Sequence, residues 1–397
     1  MTTYVYAGCA TLLVFIILLV AGKKGKSLSD NVFLTWMVIL LLNVSTFIVI
    51  SRLGYPASYS LRMLVEFSEA SVFIHGPLFL LYTLSLTSSA FKIKFRHVLH
   101  FVPFAACMII LLSAISNING AADTTRQVLT IVKMISLLVY TIAVIIILQR
   151  HRNKVEDIFS NTESKYLDWL RFLAWGIVML WVTFSGGLLL YNFSFIHIPE
   201  YGSAAGNIAL CAFIFLINYF GVKQEAVYNF VRKESLTVLR EDITLKTNEL
   251  LSEVPRTEEI TSVLYKDKYK HSSLTKEKSF ELFESLKLFM LKKKPYQDSE
   301  LTLYSLAKQF EIHPNHLSQL INQNCNQNFF DFVNEQRVKD VKEILLTNQS
   351  RSRNLSLLGI AFEAGFNSKA SFNRAFKKFT GMTPSEFKRK SNVNGEK

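Results

Sequence analysis

Up to about Phe220 the chain is a succession of long apolar runs; past Lys223 it turns polar and rich in Lys and Arg. A helix crosses a bilayer with about 20 mostly apolar residues. We read seven such runs, near 4–22, 32–50, 64–86, 98–115, 128–148, 172–191 and 203–222. The chain is 50% hydrophobic and 19% charged, yet its net charge is +13. Residues 1–220 hold 15 Lys/Arg against 9 Asp/Glu, and the remainder 29 against 22. The excess in the first part is topological, while in the second it bears on the partner.

Basic residues in short loops set orientation. With the N-terminus outside, the inner loops hold Lys23, Lys24, Lys26, Lys92, Lys94, Arg96, Arg150, Arg152, Lys154, Lys165 and Arg171. The outer loops hold Arg52, Arg62 and Arg126. An odd number of spans then delivers the C-terminal region to the cytoplasm. No cleavable signal peptide is expected, because the first apolar run has its lysines after it rather than before it. Cys9, Cys107, Cys211 and Cys325 are scattered with no metal spacing, which suits buried thiols in a reducing compartment.

Polar groups within spans are costly and point to function by default. Glu66, Glu69 and His75 lie in the third run and Lys133 opens the fifth. The two glutamates share a helix face near the outer surface, and with Lys133 as counter-charge they form a candidate ligand or ion site. The competing reading places both at the wet interface and gives His75 an interhelical hydrogen bond. Ser185-Gly186 and His197 do not make a hydrolase, since a serine beside a glycine is common in span packing. No HExxH motif or paired-carboxylate site appears in the spans. We therefore expect neither enzyme nor cofactor.

Residues 223–280 form a polar connector broken by Pro255. Val222, Leu236, Ile243 and Leu250 share one heptad phase, but Asn229 interrupts it, so a solvated amphipathic helix is expected over a coiled coil. From Leu301 a helical unit begins. Thr302 caps a helix through Tyr304, Leu306, Ala307 and Phe310. Glu311-Ile312-His313-Pro314 makes a turn, and Pro314 opens a second helix that buries Leu317, Leu320 and Ile321. The unit recurs: Ser356 caps a helix burying Ile360, Ala361 and Ala364, and Gly365 suits a left-handed turn. Phe366 then takes the place of Ile312, and Ser368 caps a helix burying Phe372, Phe376 and Phe379. Between the copies Phe330, Val333, Val338, Val341, Ile344 and Leu345 stripe a spacer helix.

The stretch AFEAGFNSKASFNRAFKKFTGMTPSEFK (Ala361–Lys388) resembles the DNA-binding domain of AraC/XylS-type bacterial regulators. LAKQFEIHPNHLSQLIN (Leu306–Asn322) matches its first half less closely. Asn326 stands where the family pattern has glycine, and asparagine tolerates the left-handed conformation. The resemblance covers Leu301–Lys390, about a quarter of the chain; the layout is similar to multi-span members of that family. It implies two recognition helices in successive major grooves of double-stranded promoter DNA; RNA polymerase and, in a homodimer, a second copy of the chain are further candidate partners. By position in the motif Lys369, Ser371 and Arg374 are base-reading candidates beside Asn373, while Lys377 and Lys378 face phosphates. In the first copy Asn315, His316, Ser318 and Gln319 occupy the exposed face, where Asn and Gln can pair with adenine. That helix carries no basic residue and is expected to add less affinity. His313 and His316 are close but lack further ligands for a metal.

The expected fold is all-α: a seven-span domain over 1–222, the connector 223–280 and a tandem helix-turn-helix domain over 281–397. The expected function is a bacterial inner-membrane, sequence-specific transcription regulator, its partners DNA, the bilayer and an unidentified small-molecule or membrane signal. The alternative is a receptor or transporter-like membrane protein whose C-terminal helices bind a protein partner.

Overall fold

The computed structural model describes residues 2–54, 58–88, 91–115, 121–162, 166–193, 206, 208–220, 276–347 and 356–394. Among these the secondary structure is helical, apart from one isolated bridge. The chain divides into two compact units, one of residues 1–151 with 167–230, the other of residues 152–166 with 231–397.

The first unit comprises α1 (Thr2–Ala21), α2 (Leu28–Leu53), α3 (Tyr59–Thr87), α4 (Phe95–Val98), α5 (Val102–Ile115), most of α6 (Ala121–Ile158), α7 (Asp168–Phe193) and α8 (Ile208–Phe220). Local chemistry sets the ends. Ser27 and Asp30 form a reciprocal capping box at the start of α2, and Gly54 stops it at φ 70°. Such a cap is worth about 1 kcal/mol. α1 packs on α2, α2 on α3, and α3 on α5. Leu13, Ile16, Trp36, Met37, Phe79, Tyr82, Leu170 and Ile214 meet in the buried core. Gly76 allows α6 to come close, since a Cβ there would lie 2.5 Å from the ring of Tyr140; small residues serve this purpose between membrane helices. Cys9 and Cys211 are free thiols, their sulfurs 2.9 Å apart.

The outer surface of these helices is apolar: Leu18, Ile109 and Met179 are each about two-thirds exposed, at 66%, 69% and 68%. Soluble proteins rarely expose contiguous apolar surface on this scale. Among the described residues six helices are long and apolar enough to cross a membrane. The seventh run corresponds within the described residues to α8, which is shorter than a span requires. The connector pattern, Val222 to Pro255, lies outside the described residues, as does His197.

The second unit holds α9 (Lys276–Lys293), α10 (Leu303–Gln309), α11 (Pro314–Cys325), α12 (Phe329–Leu346), α13 (Leu357–Glu363), α14 (Lys369–Thr380) and α15 (Pro384–Asn394). Two cores form side by side. Phe283, Leu286 and Met290 of α9 close over Leu306, Ala307, Leu317, Leu320 and Ile321. Ile360, Ala361, Ala364, Phe366, Phe372 and Phe376 make the other. α12 belongs to both, giving Phe329, Phe332 and Val333 to the first core and Val338, Val341 and Leu345 to the second. Each large apolar side chain so buried contributes about 1.5–3 kcal/mol, which makes α12 a stiff spacer.

Candidate nucleic-acid interface

Each of the two units in the C-terminal module is a short helix, a tight turn and a second helix of 12 residues. Thr302 caps α10 by accepting from the Ser305 amide, and Ser356 caps α13 by accepting from Gly359. The turns then repeat bond for bond. The Ile312 amide donates to the Ala307 carbonyl at 3.0 Å, and the Phe366 amide to the Ala361 carbonyl, also at 3.0 Å. One residue before each, the backbone passes through the left-handed region, at Glu311 (φ 59°) and Gly365 (φ 96°). The inner side chains fall where the periodicity places them, except that Phe310, Ile312 and Phe379 are only half-buried and Tyr304 is exposed.

The second helix of each unit begins with its own cap. His313 Nδ1 accepts from the Asn315 amide (3.2 Å) ahead of Pro314, and Ser368 accepts from the Ser371 amide (3.1 Å). Asn326 ends α11 in the left-handed conformation at φ 52°, as its tolerance for that region predicts, and Gly381 ends α14 at φ 76°. With Leu317, Leu320 and Ile321 turned inward, Asn315 and Gln319 are exposed while His316 and Ser318 are half-covered. With Phe372, Ala375 and Phe376 turned inward, Lys369, Asn373, Arg374, Lys377 and Lys378 are exposed. Ser371 is half-covered, its hydroxyl donating to the Ser368 carbonyl at 3.1 Å. Lys378 is engaged elsewhere: its ammonium sits 2.6 and 2.7 Å from the two oxygens of Asp331 on α12.

α14 thus shows water a row of cations and α11 a row of amides and hydroxyls. Lys and Arg neutralise phosphates and Arg forks onto guanine, while Asn and Gln pair with adenine. His313 and His316 stack edge to face at 5.9 Å. Among the described residues no group of three or more metal-ligating side chains gathers.

Three features escaped the sequence reading. α9 roofs the first core. α12 carries a buried polar row, Asn334, Arg337 and Asp340, on one helix face at spacings of three; that periodicity was visible in the sequence among the apolar positions. Asp340 accepts from Lys294 at 2.7 Å. The third is residues 152–166, which belong to this unit. Burial lowers the Arg337 pKa to about 10, an effect the Asp298 and Glu300 carboxylates oppose, so the guanidinium stays charged at neutral pH.

In the first unit, Glu69 meets Lys133 at 2.6 Å and Glu66 meets Arg126, a partner the sequence did not suggest. His75 is held within the helices instead, accepting from the Trp36 indole at 3.1 Å and lying 2.8 Å from the Asn43 amide. Asn43 in turn bonds Ser68 and Ser71.

A tandem helix-turn-helix module is what this geometry defines, and residues 306–390 match the family model described as a helix-turn-helix domain. The chain is similar to the arabinose operon regulatory protein of Salmonella typhimurium, 30% identical over 91 residues, covering 23% of this chain and 31% of that protein. It is also similar to YesN of Bacillus subtilis, an uncharacterized transcriptional regulatory protein, 35% identical over 80 residues, covering 20% and 21%. A further similarity is to the solved C-terminal domain of AraT, a response regulator from Geobacillus stearothermophilus. There the identity is 27%, covering 30% of this chain and 88% of that one, with a TM-score of 0.24. The chain therefore spans about a third or less of the length of these curated relatives. The similarities are to DNA-binding transcription regulators and not to an enzyme.

Proposed function

We propose that the chain is a membrane-embedded, sequence-specific transcription regulator: the helices α1–α8 anchor it and take up a signal, and the tandem module binds promoter DNA from the cytoplasmic side. The observation that carries this reading is the repeated turn, with Lys369, Asn373, Arg374 and Lys377 standing exposed on one second helix and Asn315 and Gln319 on the other. The eleven-to-three bias of loop Lys and Arg supports a cytoplasmic module. RNA polymerase and a second copy of the chain are further candidate partners in this reading. For the signal, the ion pairs Glu66–Arg126 and Glu69–Lys133 between α3 and α6 are the proposed receiving site. Their rearrangement by a ligand would shift the helices between two states.

The test is selection of random-sequence duplexes by the full-length protein in lipid nanodiscs at two salt concentrations. Enrichment of a site spanning two neighbouring major grooves, with affinity that falls steeply as salt rises, is the expected result. Absence of both would move the search to protein partners of the C-terminal helices.

A further inference from the structure

The turn after α6 reads Ser160-Asn161-Thr162, and all three polar residues are buried, at 2%, 8% and 3% exposure. Buried hydroxyls and amides need partners, and those of Ser160 and Asn161 are found in the DNA-binding module. Phe159 forms an antiparallel bridge with Thr302, the cap of α10. Ser160 donates to the Leu301 carbonyl from its amide at 3.2 Å and from its hydroxyl at 2.7 Å. The Asn161 amide donates to Glu300 at 2.7 Å. Just upstream, Glu156 accepts from the Asn328 side chain at 3.2 Å, and Asn328 is the cap of α12. Tyr166 closes the segment by donating to the same Glu156 at 2.7 Å.

The centre of this contact is Arg337. A guanidinium has five N–H groups, and here all five are used. Nε donates to the Tyr296 carbonyl; one terminal nitrogen donates to Asn334 Oδ1 and the Ser160 carbonyl; the other donates to the Asp298 carbonyl and Ser160 Oγ. Two of these five acceptors come from Ser160. The same guanidinium lies 5.8 Å from the centre of the Phe366 ring, and its Nε would sit 2.9 Å from a Cβ on Gly365. One side chain therefore touches the 159–162 segment, the turn leading into the first helix-turn-helix and the turn inside the second.

We propose that Phe159–Thr162 is a docking peptide for the DNA-binding module, seated between Glu300–Thr302 and α12, and that its seating on Arg337 sets the spacing of the two helix-turn-helix units. The docking stands on these contacts alone; only its consequence for promoter binding rests on the function proposed above. The peptide is covalently continuous with α6 on one side and leads into α7 on the other. A rearrangement of those helices thus pulls on Ser160, and through Arg337 on both readers. Polar contacts suit such a latch, because water can take over the vacated acceptor positions when the peptide leaves.

The test uses the full chain in membrane vesicles, with its four cysteines replaced by alanine and a protease site inserted in the connector. Cysteines introduced by Asn161→Cys and Glu300→Cys should form a disulfide under mild oxidant, so that the membrane fragment stays joined to the module on a non-reducing gel after cleavage. In that background Ser160→Pro, which removes both donors to the Leu301 carbonyl and the hydroxyl that accepts from Arg337, should slow cross-linking about tenfold, as losing a bond to a buried charge does. In nanodiscs, spin labels at Gln323 on α11 and Arg389 on α15 should give a narrow distance distribution. Ser160→Pro and, separately, Asn161→Asp, which sets a carboxylate against Glu300, should each broaden it. Cross-linking no faster than for an Asn161→Cys/Gln319→Cys control overturns the docking. Unchanged distance distributions in both variants overturn the control of spacing. Neither readout involves DNA, so a failed DNA selection would refute the proposed function while leaving this result intact.

Discussion

The two helix-turn-helix units share a backbone and differ in what they place on it. Both pass through a left-handed residue and close with the same amide-to-carbonyl bond at 3.0 Å. In the first the left-handed residue is Glu311, exposed; in the second it is Gly365, packed against the Tyr296 carbonyl. The first unit's reading helix is neutral, whereas the second carries Lys369, Arg374, Lys377 and Lys378. The fold therefore constrains the turn in both copies, and sequence is free to divide the labour of recognition between them. On the proposed function, α14 with its cations would carry most of the affinity, and α11 would read bases through amides.

The sharpest way to break the comparison is at the turn itself. A Cβ at Gly365 would lie 2.2 Å from the Tyr296 carbonyl oxygen, on a backbone at φ 96°. Gly365→Ala should destabilise the second unit by roughly 3–5 kcal/mol, since it combines a strained conformation with a backbone clash. Glu311→Gly should stay within about 1 kcal/mol of neutral, because relief of the left-handed cost is offset by lost chain entropy. Hydrogen exchange at α14 and α11 amides in the full-length protein measures both. Equal effects at the two sites would mean that the turns are not held by the contacts described.

The division of labour predicts the next-largest effects. Arg374→Ala should weaken binding to a selected duplex by about 1–3 kcal/mol and relax preference at one base pair. Asn315→Ala and Gln319→Ala should each cost about 1 kcal/mol, towards the lower end of that range, while leaving the salt dependence unchanged, because neither side chain is charged. Competition titrations against single-base variants of the duplex separate these outcomes. A larger loss at Gln319 than at Arg374 would invert the assignment of affinity to α14.

Both copies were legible in the sequence because their signals are local: caps at Thr302, Ser356 and Ser368, apolar spacing from Ala307 and Ala361, and a proline or glycine at each break. The left-handed Glu311 was not, since nothing in a glutamate announces a positive φ; only the matching position of Gly365 hints at it. Within the described residues six of the seven apolar runs form helices long enough to span a membrane, because length and hydropathy settle that without tertiary context. The pairing of Glu69 with Lys133 was anticipated by charge alone, while Arg126 looked like a loop residue. The period-three spacing of Asn334, Arg337 and Asp340 was visible, but the contact of Arg337 with Ser160 could not be read at all. It depends on residues separated by 177 positions, and no local pattern encodes such a partnership. A buried arginine inside an amphipathic helix registers in sequence merely as a solvated charge.

The smallest expected effect concerns the two lysines that end α14, and it sharpens the comparison within a single helix turn. Lys377 is exposed, whereas Lys378 is held by both oxygens of Asp331. A phosphate contact releases counterions, so each one contributes about 0.9 to the slope of log K against log salt. Lys377→Ala should therefore flatten the slope by about 0.9. Lys378→Ala should flatten it by less, because a carboxylate already neutralises that ammonium before DNA arrives. Asp331→Asn decides the matter. It leaves the backbone cap from Asn328 in place, removes an ion pair between an exposed lysine and a mostly covered aspartate worth about 0.2–1 kcal/mol, and frees the ammonium. If Lys378 can reach phosphate, Asp331→Asn steepens the slope towards one further contact and tightens binding a few-fold. If the slope is unmoved by both Lys378→Ala and Asp331→Asn, Lys378 is a tie between α14 and the spacer helix, and the second reader engages DNA with one cation fewer than its sequence displays.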